Sequence, residues 1–192
     1  MALERSDSVA ELRRIALETL VRLGVKGMTV QAVADAAGCT KSNVLYHFGS
    51  KSGLVVAALE PALERLAGVA DLVAAGAADE SPKAKSLRAV ELLVDTIVGH
   101  RLEAYVVLNS LAELPSEVLA SLHQSSEQLA LVLNEWRQDP RSTLRTHIVL
   151  GGVAFALAGP FSSTSLADDQ LSEEELLVML RPLVLELLGG GA

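Results

Sequence analysis

Apolar residues recur at intervals of three and four positions along most of the 192-residue chain. This spacing places them on one face of an α-helix, so the pattern predicts a series of amphipathic helices. Alanine, leucine and valine must fill the interior because aromatic residues make up only 3% of the chain, which favours closely packed helices over a sheet. The predicted fold class is all-α. Beyond residue 53, helices are expected at about 54–66, 83–100, 101–114, 116–138, 142–159 and 172–188.

Departures from this periodicity predict the irregular parts of the chain. Residues 1–7 are expected to form a loose arm before the first helix, which Gly24 ends. Pro61 lies inside a long apolar run, where a proline removes a backbone hydrogen bond, so we expect a bend or a boundary between two helices. Small and acidic residues at 74–83 predict a linker.

A helix, a tight turn and a second helix are predicted in the N-terminal quarter of the chain. Thr29 and Thr40 are good N-caps, because a threonine hydroxyl accepts a hydrogen bond from the free N–H groups of the first helical turn. Gly38 lies between them and can adopt a left-handed conformation that reverses the chain. The second helix is predicted at 41–48, and Ser50 is expected to cap the helix that follows.

The predicted helix at 41–48 has two contrasting faces. Val44 and Phe48 stand four residues apart and are expected to pack inward. The other face carries side chains able to bind phosphate, hydrogen-bond to a base edge or contact a thymine methyl group. They are Lys41, Ser42, Asn43, Leu45, Tyr46 and His47. Such a mixture is typical of a DNA recognition helix, and the alternative is a helical hairpin whose polar residues only face water.

These residues resemble the tetracycline-repressor (TetR) family of bacterial transcriptional regulators. The matching segments are Met28-Thr29, Val33-Ala34, Ala37-Gly38 and VLYHFGSK at 44–51. The resemblance extends from about Val9 to Leu54, and the rest of the chain shares only length and helical character with the family. One departure is Leu45, where the family usually has a tyrosine, so a base contact there would be purely apolar.

The resemblance implies an N-terminal three-helix helix-turn-helix DNA-binding domain at 1–53 and a larger helical ligand-binding and dimerisation domain at 54–192. Family members are homodimers, and the expected function is that of a ligand-responsive regulator, a repressor released from a near-palindromic operator by a small, largely apolar effector. By this resemblance Asn43 faces bases, and Tyr46 and His47 contact phosphates. The full expected DNA-binding set is Thr29, Thr40, Lys41, Ser42, Asn43, Leu45, Tyr46, His47 and Lys51.

Charge is unevenly distributed along the chain. The whole chain has a formal net charge of -8, but residues 1–53 carry seven basic and five acidic side chains, a net charge of +2. The remaining residues therefore carry -10. A slightly basic head on an acidic body is compatible with double-stranded DNA as a partner of the head, although +2 alone would not predict it.

The rest of the chain offers weaker candidates for an effector site and a dimer interface. Tyr105 and Asn109 fall on one helical stripe and could orient an effector, as could Trp136, although polar stripes more often face water and a lone tryptophan more often packs in the core. The two helices at 142–159 and 172–188 are very apolar. We expect the continuous apolar run at 148–161 to be buried, and the pair of helices to join two protomers into a homodimer.

No pattern of catalytic or metal-binding residues stands out. Four histidines lie on different predicted helices, and the single cysteine, Cys39, is expected to pack in the turn. We expect no enzyme activity, no cofactor, no metal and no membrane segment, and the charged N-terminus favours a cytoplasmic location. Two other interpretations stay open: an all-helical small-molecule carrier or enzyme with a helix-turn-helix look-alike, and a dimerisation protein without a ligand.

Overall fold

The computed structural model describes residues 2–76, 80–134, 140–158 and 173–187. Within these ranges the chain is helical and contains no strand, which confirms the all-α prediction. The helices are α1 (Ala2–Gly27), α2 (Val30–Ala36), α3 (Lys41–Phe48), α4 (Lys51–Ala74), α5 (Pro82–Gly99), α6 (Arg101–Ser110), α7 (Ser116–Asn134), α8 (Pro140–Ala158) and α9 (Glu173–Leu187). A 3-10 turn at Leu111–Glu113 follows α6. None of the described helices is both long and apolar enough to cross a membrane.

Helix α1 begins earlier than the sequence pattern predicted. The loose arm at residues 1–7 is wrong from Ala2 onward, because the backbone is already helical there. Alanine, leucine, glutamate and arginine at positions 2–5 all have high helix propensity, so they extend the first helix instead of fraying from it. Gly24 does interrupt the regular helix, with φ 67° and ψ 174°, and one further turn follows to Gly27.

Helix α4 runs through Pro61 from Lys51 to Ala74, so the predicted boundary between two helices is wrong. Buried residues on both sides of the proline, including Leu59 and Leu63, pack against neighbouring helices. This packing holds the helix together although Pro61 supplies no N–H to the ladder.

Two apolar clusters lie along α4. The first contains the buried faces of α1, α2 and α3, the first half of α4, and residues from α6 and α7. The second contains Val69 and Val73 from the end of α4, with residues of α5, α7, α8 and α9. The head formed by α1 to α3 therefore shares a continuous core with the body, and α4 is common to both clusters.

The C-terminal helices differ in two respects from the prediction. Helix α8 begins at Pro140 and not at 142, because a proline needs no N–H partner in the first helical turn. The prediction that its apolar run is buried is also wrong for a single protomer. Val153 is buried, but Ile148 is 64% exposed and Phe155 is 47% exposed. A continuous apolar sequence does not show which of its residues pack against the rest of the chain. Helix α9 is fastened to α5 by Arg181, which donates to both carboxylate oxygens of Asp95 at 2.8 Å.

Candidate nucleic-acid interface

Helix α3 is held from one side by the core of the head. Val44 is fully buried, and Leu45 and Phe48 are half-buried against the same cluster. At its start the backbone N–H of Asn43 donates to Thr40 Oγ1 at 3.2 Å, as the N-cap prediction requires. At its end Gly49, with φ 71°, donates its N–H to the Leu45 carbonyl. The orientation of α3 is therefore determined by its inner face and by both of its ends.

The outer face of α3 presents most of the predicted site residues to solvent. Lys41, Ser42 and Asn43 are exposed, and Tyr46 is 77% exposed. His47 is half-buried, and its ring meets that of Tyr46 edge to face with centroids 5.2 Å apart. A cation, a hydroxyl, an amide and a phenol therefore lie on one rigid helix, which suits contacts to phosphates and base edges.

The segments that flank α2 and α3 make the predicted capping hydrogen bonds and contain the predicted turn. Thr29 Oγ1 accepts a hydrogen bond from the backbone N–H of Ala32 at 3.0 Å, and Gly38 has φ 65°. Ser50 Oγ likewise accepts from the N–H of Gly53 at the start of α4. Cys39 is half-buried against the core of the head, in agreement with a packing role. These contacts are local in sequence, which is why the residue pattern predicted them.

The N-cap of α3 leads to a first prediction. Replacing Thr40 with alanine removes the acceptor for the Asn43 N–H, and we expect the free energy of unfolding to fall by about 1 kcal/mol. Urea denaturation followed by circular dichroism measures the change. Thr40→Ser keeps the hydroxyl and should retain most of the stability, so an equal loss in both variants would contradict the capping role.

Lys51 has a structural contact that sequence reasoning missed. Its Nζ donates to the backbone carbonyl of Lys26 at 3.1 Å, and the side chain is half-buried at the start of α4. Lys26 in turn pairs with Glu113 in the 3-10 turn, with 2.8 Å between Nζ and Oε1. Hydrogen bonding from Lys26 lowers the pKa of the Glu113 carboxyl below its usual range. Residues 26 and 113 are 87 positions apart, so no sequence pattern indicates this contact.

The predicted effector residues do not come together at one described cavity. Tyr105 is half-buried against the core of the head, whereas Asn109 is exposed and its Nδ2 donates to the Tyr105 carbonyl at 2.9 Å. Trp136 lies outside the described residues. The effector role of these three residues stays a prediction.

A groove of about 480 Å³ lies between α1, the end of α3, the start of α4 and α7. Arg13, His47, Glu60 and Glu117 contribute charged or titratable side chains to its walls. Arg13 pairs with Glu60 at 2.7 Å, while its Nε is buried and has no hydrogen-bond partner among the described residues. Tyr105 and Asn109 do not line this groove. Among the described residues, no three histidine, cysteine or acidic side chains are grouped so as to hold a metal ion.

Solved structures share this fold over nearly the whole chain. A TetR-family transcriptional regulator from Bordetella parapertussis matches with a TM-score of 0.70 and 19% identity, covering 93% of this chain and 94% of that one. The TetR-family regulator PfmR from Thermus thermophilus matches with a TM-score of 0.68 and 20% identity, over 91% and 97% of the two chains. A protein described as superantigen pfit also matches, with a TM-score of 0.62 and 18% identity, over 91% and 87%. The fold alone therefore does not decide the function.

Sequence comparison identifies the N-terminal part of the chain more specifically. No curated protein matches the chain in sequence. Residues 13–58 match the family model described as "Bacterial regulatory proteins, tetR family", and this range contains α2, α3 and the residues that the resemblance rested on. Residues 13–58 are therefore similar to the N-terminal part of the tetR family of bacterial regulatory proteins, and the chain shares the fold of solved TetR-family transcriptional regulators.

Proposed function

We propose that the protein is a ligand-responsive repressor that binds a near-palindromic operator as a homodimer and is released by a small, largely apolar effector. The observation that carries this proposal is the outer face of α3. Lys41, Ser42, Asn43 and Tyr46 are exposed on a helix whose inner face is buried and whose ends are capped. The backbone of a rigid helix loses little additional freedom on binding, so this face is suited to a defined register on DNA.

In the proposed interface the contacts fall into two classes. Lys41, Tyr46, His47 and Lys51 bind phosphates, while the helix N-termini at Thr29 and Thr40 present backbone N–H groups to the DNA backbone. Ser42, Asn43 and Leu45 read the base edges. We propose residues 1–53 as the DNA-binding domain and 54–192 as the effector-binding and dimerisation domain, with the boundary in the first turn of α4.

The exposed apolar face of α8 and α9 supports the homodimer. Its exposed large side chains are Leu144, Ile148, Phe155, Val178, Met179, Leu183 and Leu187. Gly151 and Gly152 are exposed on the same helix as Ile148, and their lack of side chains would let a partner helix approach closely. An apolar surface of this kind marks an interaction site, and pairing it across a two-fold axis would give two recognition helices for two half-sites about one DNA turn apart.

Support for the effector comes from composition and from α6. The second core cluster consists of leucine, valine and alanine, so a cavity that opened within it would accept an apolar ligand more readily than a charged one. We propose Tyr105, Asn109 and Trp136 as contributors of polar contacts. Tyr105 is half-buried at the edge of the first core cluster.

Exchange of Asn43 for alanine should alter sequence preference more than overall affinity. An asparagine amide can bond to an adenine edge, so we expect Asn43→Ala to reduce discrimination at one base pair by about 1–3 kcal/mol. Lys41→Ala is the matched change at a phosphate contact and should weaken specific and random duplexes alike. Competition binding with single-base operator variants measures both effects. An equal loss on operator and random DNA for Asn43→Ala would contradict base reading by this residue.

The proposed function is tested by selecting bound fragments from a genomic DNA pool at two salt concentrations. Recovery of a near-palindromic site whose enrichment falls with salt is expected, because cations compete for phosphate contacts. The sites recovered would also identify neighbouring genes and hence candidate effectors. Absence of enrichment at both salt concentrations would favour a helical carrier or enzyme.

A further inference from the structure

A carboxylate of the body reaches the head at the end of α1. Glu113 Oε1 lies 2.8 Å from Lys26 Nζ, and Glu113 Oε2 accepts a hydrogen bond from the Lys26 backbone N–H at 3.3 Å. Both oxygens of one carboxylate are therefore used by a single lysine. Glu113 ends the 3-10 turn that follows α6, so this contact joins the body to the DNA-binding domain proposed above.

A second lysine belongs to the same cluster. Lys51 Nζ donates to the Lys26 carbonyl at 3.1 Å, and its charge contributes, after the larger effect of Lys26, to the low pKa of Glu113. We call Lys26, Lys51 and Glu113 the Glu113 cluster. Lys51 is the first residue of α4, two positions after Gly49 at the end of α3, so the cluster lies beside the recognition helix.

The ion pair can be exchanged for another anion. The Lys26 side chain is 84% exposed, and exposed ion pairs contribute little net free energy because water and salt compete with them. A DNA phosphate offers the same lysine an equally charged acceptor. The head has a net charge of only +2, so a carboxylate that occupies one of its seven cations removes a considerable part of its attraction for DNA.

We propose that Glu113 competes with the phosphate backbone of duplex DNA for Lys26, and so limits how strongly the head binds DNA. This inference rests on the proposed function, since it concerns regulation of the same surface. The Lys26 carbonyl holds the Lys51 ammonium in place. The Lys26 ammonium is held by Glu113 and is to that extent withheld from a phosphate. A displacement of the 3-10 turn after α6 would then change the number of cations that the head offers to DNA.

The test is the salt dependence of duplex binding by the full-length protein. Glu113→Gln removes the charge but keeps an oxygen that can accept from the Lys26 N–H. We expect the slope of log K against log salt to steepen by about 0.9 for each chain that gains a phosphate contact. The factor by which affinity falls between 50 and 200 mM salt then becomes about threefold larger per chain. Adding Lys26→Ala to Glu113→Gln should remove this steepening.

Two controls separate this effect from charge and folding. Glu127→Gln removes the same charge from an exposed carboxylate on α7, away from the Glu113 cluster, and should leave the slope unchanged. Lys26→Ala alone should make the slope shallower by clearly less than about 0.9, the value of a full phosphate contact, because Glu113 already holds the lysine for part of the time. This variant keeps the test available if Glu113→Gln folds poorly.

The outcomes distinguish the inference from the function on which it rests. An unchanged slope in a folded Glu113→Gln variant, or a slope shallower by the full value of about 0.9 in Lys26→Ala, would overturn the competition while leaving DNA binding intact. A wild-type protein without any salt-sensitive duplex binding would overturn the proposed function and this inference together. A steeper slope that depends on Lys26 would support both.

Discussion

Replacing Gly53 with alanine is expected to lower the free energy of unfolding by about 3 kcal/mol and to weaken duplex binding. A Cβ at this position would lie 2.1 Å from the Phe48 carbonyl oxygen, which is a backbone atom at the end of α3. Neither helix can relieve such an overlap by rotating a side chain. We therefore expect α3 to move away from α4 or the head to lose its packing.

Gly68 provides the matched control, because it lies in the same helix and a Cβ there would meet nothing within 4 Å. Gly68→Ala should raise stability by about 0.5–1 kcal/mol, since alanine has less freedom to lose on folding. Urea denaturation and duplex binding of the two variants measure the difference. Equal stabilities would show that α3 and α4 can separate without cost.

Introducing a charge into the exposed face of α8 is expected to disrupt the proposed homodimer. Ile148 is 64% exposed in one chain, so Ile148→Glu should fold, but the carboxylate would be buried without a partner in a dimer. A monomer cannot place two heads on one operator. We expect operator affinity to fall by about 100-fold or more, because the second head no longer binds as part of the same molecule.

Size-exclusion chromatography with light scattering and operator titration test this prediction together. Leu72→Glu is the control, since Leu72 is an exposed leucine on α4 outside the proposed interface. It should remain dimeric with nearly unchanged operator affinity. A wild-type monomer at micromolar concentration would rule out the dimer, and a dimeric Ile148→Glu variant would exclude α8 from its interface.

Sequence reasoning was most accurate where contacts join residues close in the chain. Thr29, Thr40 and Ser50 each accept from a backbone N–H three positions ahead, and Gly38 has the predicted positive φ. Spacing of four residues likewise placed Val44 and Phe48 on the inner side of α3. These features depend on backbone geometry within one turn, so the residue types are enough to predict them.

Sequence reasoning failed where the outcome depends on what packs against an element. Packing on both sides of Pro61 kept α4 in one piece, and α8 leaves Ile148 exposed although a continuous apolar run begins there. In each case the local pattern allowed two outcomes, and the stability of the surrounding helices selected one.

By itself, therefore, the sequence determined the helical class, the helix-turn-helix and the polar face of α3, because hydrophobic periodicity and capping act over a few residues. Only the tertiary structure decided that α4 belongs to both cores, that Lys51 is tied to the end of α1, and that Glu113 is paired with Lys26. Contacts such as the one between residues 26 and 113 depend on how whole helices pack, because an ion pair between different helices, unlike one within a helix, has no characteristic spacing along the chain.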